Sequence, residues 1–309
     1  MPATQPILVL GARGMVGSAL VRALAASGAS DVHAPPRAEL DLLDGAAVAR
    51  YFDTLRPASV YLAAAKVGGI LANATRPVDF LYQNLLLELN VIHAAHRHGV
   101  RKLLFLGSTC IYPRLAPQPI SEDALLSGPL EPTNEWYAIA KIAGIRLCDA
   151  YRQQYGCHFI SAMPTNLYGP HDNFDPDTSH VLPALIRRFH AARINGADTV
   201  TVWGTGTPRR EFMHVDDCAS ACLHLMRHHD EPGVINVGVG KDLTISELAR
   251  LVADIVGYHG EIVFDPSKPD GVPRKLVDVS RLTRLGWQAR IGLAEGIRST
   301  YAWYRAARG

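Results

Sequence analysis

A short apolar run, Ile7–Leu10, leads directly into Gly11-Ala-Arg13-Gly14-Met15-Val16-Gly17 and on into a helical pattern over Met15–Ala26. Strand, glycine turn and helix in direct succession open a βαβ unit. Glycines let the backbone turn tightly and approach a ligand closely, and a helix N-terminus attracts negative charge. The turn therefore predicts a pyrophosphate site built from Gly11, Arg13, Gly14, Met15, Val16 and Gly17. A glycine-rich turn that holds no ligand is the alternative. Further apolar runs at 59–62, 102–106 and 159–163 alternate with helical patterns at 45–55, 77–98 and 134–155. That alternation predicts a doubly wound α/β fold, a parallel sheet covered by helices on both faces. After residue 164 the pattern changes: 164–170 and the polar stretch to Ser179 read as a long loop, and later elements look irregular. The expected division is residues 1–163 as a dinucleotide domain, with some later segments returning to it, and 164–309 mainly as a smaller substrate domain.

With 309 residues the chain can bury a full core, and its 31 Lys and Arg against 29 Asp and Glu leave a formal charge of only +2. No polyelectrolyte signature for nucleic acid is present, so charge arguments are local. Five cysteines, an odd number, argue against a disulfide framework and for a reducing cytoplasm. No apolar stretch nears the roughly 20 residues that span a bilayer, and no membrane association is expected.

Tyr137 and Lys141 lie four apart in Asn134-Glu-Trp-Tyr-Ala-Ile-Ala-Lys141, behind a run ending Leu106-Gly-Ser108-Thr109-Cys110. Helical spacing puts phenol and ammonium on one face, where the positive charge is expected to pull the tyrosine pKa below its usual value of about 10. Such a tyrosine hands a proton to a developing alkoxide. Taken alone, the spacing also fits an exposed helix with an incidental pair.

The choice of dinucleotide turns on the end of the second strand. An NAD site carries an acid there, accepting from the ribose 2′-hydroxyl. Here Asp31 precedes the strand and Pro35-Pro36-Arg37 follows it. Arg37 and Arg13 form a clamp for a 2′-phosphate, which predicts NADPH; a solvated Arg37 is the alternative. Asp41-Leu-Leu-Asp44 reads either as an adenine contact through Asp41 or as a helix N-cap.

Whole segments carry a more specific resemblance. The G-x-x-G-x-x-G spacing, with Ser108, Tyr137 and Lys141, resembles the extended short-chain dehydrogenases/reductases. Ala63-Ala-Ala-Lys-Val-Gly-Gly-Ile70, Ser108-Thr-Cys-Ile-Tyr-Pro113, Leu130-Glu-Pro-Thr-Asn-Glu135, Tyr137-Ala-Ile-Ala-Lys-Ile-Ala-Gly144, Met163-Pro-Thr-Asn-Leu-Tyr-Gly-Pro-His-Asp-Asn-Phe174, Arg210-Glu-Phe-Met-His-Val-Asp-Asp217 and Ser267-Lys-Pro-Asp-Gly271 resemble the GDP-L-fucose synthases. The resemblance implies a Rossmann-type sheet, NADPH as cofactor, and a GDP-linked 4-keto-6-deoxy sugar epimerised at C3 and C5 and reduced at C4. It implies Ser108, or else Thr109, as hydrogen-bond donor to the C4 carbonyl, Tyr137 as proton donor and Lys141 as its partner on the nicotinamide ribose. Cys110 and His180 resemble the epimerase base and acid; alone they read as a small buried residue and a loop or cap residue. Pro164, Asn166, Leu167 and His180 are implied near the cofactor, and Arg188, Trp203, Arg210 and Asp270 near the substrate. Arg187 reads as a solvated helix face, and Lys268, Arg274 and Lys275 equally well as candidates or as a charged surface loop.

Members of the family pair through the two long helices at 77–98 and 134–155, which implies a homodimer. Leu85, Leu89 and Ile92 form a stripe that reads as core or as subunit interface. Cys218, Cys222 and His224 read as core packing rather than as metal ligands. Two rivals remain: a GDP-L-colitose-type enzyme that inverts only C5, and a non-catalytic NADP-binding regulator. The retained set of Ser108, Cys110, Tyr137, Lys141 and His180 speaks against the regulator.

Overall fold

A computed structural model of the chain describes residues 5–268 and 270–307, so Pro269 of the Ser267–Gly271 segment lies outside the described residues. The first half runs β1 (Ile7–Leu10), α1 (Met15–Ala26), β2 (Val32–His33), α2 (Gly45–Leu55), β3 (Ser59–Leu62), α3 (Ile70–Thr75), α4 (Pro77–Arg97), β4 (Lys102–Leu106), α5 (Glu135–Tyr155) and β5 (His158–Pro164). It continues through β6 (Asn166–Tyr168), α6 (Val181–Asn195), β7 (Thr199–Trp203), β8 (Arg209–His214), α7 (Val215–His228) and β9 (Val234–Val237). The last quarter holds β10 (Asp242–Thr244), α8 (Ile245–Val256), β11 (Glu261–Asp265), β12 (Arg274–Lys275), α9 (Ser280–Arg284) and α10 (Leu293–Ala306).

Six strands form one sheet in the order β2-β1-β3-β4-β5-β9, every pairing parallel. The apolar runs are continuous because the sheet is buried on both sides and successive side chains alternate between them. Leu8, Val60, Leu62, Leu103, Phe105, Phe159 and Met163 enter the core under α2, α4 and α5. The intervening Val9, Tyr61, Leu104, Leu106, Ile160 and Ala162 enter the opposite core with α1 and α7. Strand order reverses at β1: the chain leaves it for β2 on one side and returns to β3 on the other. A crevice therefore opens at the carboxyl ends of β1 and β3, where α/β sheets bind ligands.

Two features depart from the sequence expectation. Residues 166–168 are not loop but the strand β6, parallel to β8 with Asn166 opposite Phe212. A three-residue strand whose partner lies some forty positions later leaves no local periodicity to read. The later chain is also more regular than expected, because α6, α8 and α10 build a third apolar core with Leu185, Phe189, Leu248, Val252, Ile297 and Tyr301. β8 organises this part, pairing antiparallel with β10 and parallel with β12 and β6, while β7 and β11 form a separate pair. No helix among the described residues is long and apolar enough to cross a membrane.

Candidate active site

The glycine turn closes the carboxyl end of β1 against the chain leaving β3. Gly11 has φ +89°, and a Cβ there would stand 2.7 Å from Ala64 N. Left-handed backbone and a close approach both demand glycine. A Cβ on Gly17 would run into the Gly11 carbonyl, so the first turn of α1 can sit on the loop only without a side chain. Gly14 N–H donates to the Gly11 carbonyl at 3.0 Å, and α1 begins with no side-chain cap and no acidic residue in its first turn. The open backbone N–H groups and helix dipole suit a diphosphate. Arg13 and Arg37 are exposed at this edge, and Arg37 meets Asp41 at only 3.5 Å across water-accessible surface. Asp31, which precedes β2, pairs with His33 at 2.8 Å, and the strand is followed by Ala34-Pro35-Pro36-Arg37, with no acid directly after it. The Asp41–Asp44 pair divides: Asp41 accepts from Leu43 N–H at 3.1 Å, and Asp44 is the N-cap of α2.

The residues expected to transfer protons gather beyond β4. Ser108 is the N-cap of a short 3-10 turn, Thr109–Ile111, and its Oγ accepts from Cys110 N–H at 3.4 Å. Lys141, fully buried in α5, donates to the Leu106 carbonyl at 2.9 Å and lies 3.0 Å from a Glu88 carboxylate oxygen. The Tyr137 ring is 5.8 Å from the Lys141 ammonium. One expectation is overturned here. Burial pushes the Tyr137 phenol well above the ordinary tyrosine value, and Cys110 and Glu88 push in the same direction. The Lys141 charge is met by Glu88 at 3.0 Å, and the upward shift favours the protonated phenol, the form a proton donor needs. Burial also raises the Cys110 thiol, against which Lys275, Ser108 and Lys141 pull down.

His180 is the N-cap of α6 and its side chain makes no capping bond. Its approach is fixed by Gly69 N–H, which donates to the Thr178 carbonyl at 3.3 Å and ties the chain after β3 to the loop before α6. Surrounding protein atoms hold the imidazole below its usual range and the Lys275 charge lowers it further, although the residue as a whole is exposed. Lys275 thus acts on both Cys110 and His180. Its orientation follows from strand alternation. Arg209 and Arg274 grip the Asp242 carboxylate at 3.0 and 2.5 Å, which sends their neighbours Arg210 and Lys275, Cα partners across β8 and β12, to the opposite face.

The remaining predicted residues form a second cluster. Arg188 packs on the exposed Trp203 ring at 5.4 Å and donates to the Thr201 carbonyl at 3.1 Å, with Lys268 5.6 Å from the same ring. Asp270 is engaged within the protein, accepting from Thr205 N–H at 2.7 Å and from Thr205 Oγ1 at 2.8 Å. Asn166 donates to the Glu211 carbonyl at 2.7 Å, while Pro164 ends β5 and Leu167 lies in β6. Arg187 is not a solvated face: it is half-buried, and its Nε is buried without a hydrogen-bond partner. Among the described residues no group of three or more His, Cys, Asp or Glu stands ready for a metal; Cys218 and Cys222 are buried in the core under α7.

Residues 7–238 match the model of the NAD dependent epimerase/dehydratase family. The GDP-L-fucose synthase of Escherichia coli (strain K12) is 57% identical over 309 aligned residues, covering 97% of this chain and 96% of that protein. The chain belongs to this family, in its GDP-L-fucose synthase branch. The GDP-L-colitose synthase of Yersinia pseudotuberculosis stands further off, 40% identical over 96% of this chain and 97% of its own. Among solved structures, a GDP-L-fucose synthetase from Naegleria fowleri bound to NADP superposes with a TM-score of 0.92 at 29% identity, covering 100% of this chain and 96% of that one.

Two residues of the site escape a reading by motif. Glu88 carries a helical signal, since Phe80, Asn84, Leu87, Glu88 and Val91 share the buried face of α4 and put a carboxylate where apolar residues belong. Lys275 was visible only as one cation among several in a charged stretch.

Proposed function

We infer that the protein is an NADPH-dependent enzyme that epimerises GDP-4-keto-6-deoxy-D-mannose at C3 and C5 and reduces it at C4 to GDP-L-fucose. The observation that carries this reading is the gathering of Ser108, Cys110, Tyr137 and Lys141 beyond β4 in a chain 57% identical to a GDP-L-fucose synthase. The glycine cradle fits the cofactor, since its two closest approaches admit no Cβ and its helix opens without an acid. Gly11, Gly14, Met15, Val16 and Gly17 would hold the diphosphate, Arg13 and Arg37 the 2′-phosphate, and Asp41, Pro164, Asn166 and Leu167 the remainder. NADPH supplies the hydride for C4.

The chain's own groups divide the proton work. Cys110 takes the proton beside the carbonyl, and His180 returns one on the opposite face, at C3 and at C5. Ser108 hydrogen-bonds the C4 oxygen throughout, so one donor stabilises the enolates and the later alkoxide. Tyr137 donates its proton to that oxygen, with Lys141 offsetting the charge that remains. Lys275 supports the thiolate of Cys110, whose unaided pKa would be too high. Arg188 and Arg210 meet the diphosphate, Trp203 packs on the nucleotide, and Asp270 borders the pocket through the turn it holds.

Residues 1–163 with α7 and β9 would serve the cofactor, and most of 164–309 the substrate. Homodimerisation through α4 and α5 is supported by Val78, Tyr82, Leu89, Trp136 and Ile139, large apolar side chains exposed on that helix pair. Five free cysteines accord with a cytoplasmic setting.

The test supplies GDP-4-keto-6-deoxymannose and NADPH in D2O and follows absorbance and product NMR. Oxidation of NADPH with deuterium at C3 and C5 is expected. No oxidation sinks the reading, and deuterium at C5 alone transfers it to the colitose type.

A further inference from the structure

We propose that Glu88 is a positioning residue of the reduction step, its carboxylate fixing the Lys141 ammonium beside Tyr137 and balancing its charge there. This rests on the reading of Tyr137 and Lys141 given above.

The geometry separates a positioning role from an incidental ion pair. The Glu88 and Lys141 side chains are 1% and 2% exposed and 3.0 Å apart. A buried pair is a poor stabiliser, because taking both charges from water offsets their attraction, and apolar residues of equal volume do as well or better. Gly144, three residues beyond Lys141 in the middle of α5, points the same way. Glycine in a helix interior is disfavoured relative to alanine. A Cβ here would stand 2.7 Å from Glu88 Oε2 and 2.5 Å from Phe105 Cζ, so the helix gives up a side chain where the carboxylate sits. An ammonium has three donors. One goes to the Leu106 carbonyl; the Glu88 carboxylate lies 3.0 Å away as an ion-pair partner, and the Phe105 and Tyr137 rings stand 4.6 and 5.8 Å from the nitrogen.

The charges around the pair define what it does. Glu88 faces Lys141, and its charge reaches Cys148 on α5 as well as Tyr137. Tyr137 also faces Cys110, and Cys110 faces Lys275 and Lys141. Burial pushes the Glu88 carboxyl above its ordinary range, and Lys141 offsets only part of that rise. With Glu88 ionised the pair is neutral overall, which adds to burial and Cys110 in keeping the phenol protonated during the two epimerisations. Tyrosinate forms only when the C4 oxygen has taken the proton. An unneutralised ammonium would favour tyrosinate too early and leave the reduction without its acid.

The experiment compares wild type with Glu88→Gln and Glu88→Asp, reading kcat for NADPH oxidation against pH, NADPH affinity, deuterium incorporation at C5 and thermal melting. Glu88→Gln is expected to lower kcat at pH 7 by roughly tenfold to a hundredfold and to move the basic limb of the profile to lower pH, with C5 exchange less affected. Glu88→Asp keeps the charge and should keep the limb in the wild-type position. If Glu88→Gln does not fold, Gly144→Ala decides. It leaves every charge present but crowds the carboxylate off Lys141, and should shift the limb in the same direction. A basic limb that stays in place or moves upward in the decisive variant overturns the proposal and leaves Glu88 a structural staple. Wild type that never oxidises NADPH means instead that the underlying reading has failed.

Discussion

Asp172 offers a quantitative test of how burial sets charge in the loop between β6 and α6. Its carboxylate accepts from Asn173 N–H at 2.7 Å through Oδ1, while Oδ2 is buried with no partner. Burial pushes the carboxyl from 3.8 up to about 7, the Asn173 bond recovering only part of the difference. The folded value lies above the unfolded one, so the folded state binds the proton more tightly. The contribution to stability is therefore full below about pH 4 and is lost as pH rises through 7. The gap of roughly three pH units corresponds to about 4 kcal/mol at complete ionisation, of which about 2–3 kcal/mol falls between pH 5 and pH 8. Asp172→Asn removes the titration and keeps the shape. Urea unfolding of both proteins at several pH values should show the variant gaining on wild type across that interval, since other groups cancel in the difference. A constant difference from pH 5 to pH 8 would refute the reasoning and mean that Oδ2 finds a partner or water.

Three further outcomes follow from the site. Cys110→Ala should slow solvent exchange at C3 and C5 by on the order of a hundredfold or more, with NADPH affinity intact; lost affinity instead, by fluorescence titration, would mean the thiol is misassigned. Arg37→Ala should weaken NADPH by about tenfold while leaving NADH nearly unchanged, and an equal effect on both would move Arg37 out of the 2′-phosphate clamp. Gly11→Ala adds a methyl 2.7 Å from Ala64 N at a positive φ. Its NADPH affinity should fall at least tenfold, and wild-type affinity by calorimetry would count against the cradle.

Legibility in the sequence followed the range of each interaction. β1, β3 and β4 could be read at their full extent because a strand buried on both sides must be apolar throughout, and Gly11 and Gly17 because nothing larger fits. Tyr137 and Lys141 were legible as a pair, but the sign of the Tyr137 perturbation was not, since it is set first by burial, with Cys110 and then Glu88, some fifty residues away across the α4–α5 contact, adding to it. β6 stayed hidden for the same reason, its partner β8 arriving only after α6 and β7. Lys275 was undecidable as long as Arg274, Lys275 and Lys268 were simply cations in one stretch. Asp242, gripped by Arg209 and Arg274, is what sorts them, and it acts through tertiary pairing alone.

The β8–β12 rung has one more consequence. Arg210 and Lys275 stand side by side at the spacing of neighbouring strands, about 4.8 Å. Arg210 would meet the diphosphate on the reading proposed above, while the Lys275 charge acts on Cys110 and His180. On that reading the rung would be a ruler, registering the anchored end of a long ligand against its reacting end through backbone hydrogen bonds rather than flexible side chains. Lengthening the linkage between those ends should therefore misplace the reacting carbons even when the anchor is fully engaged.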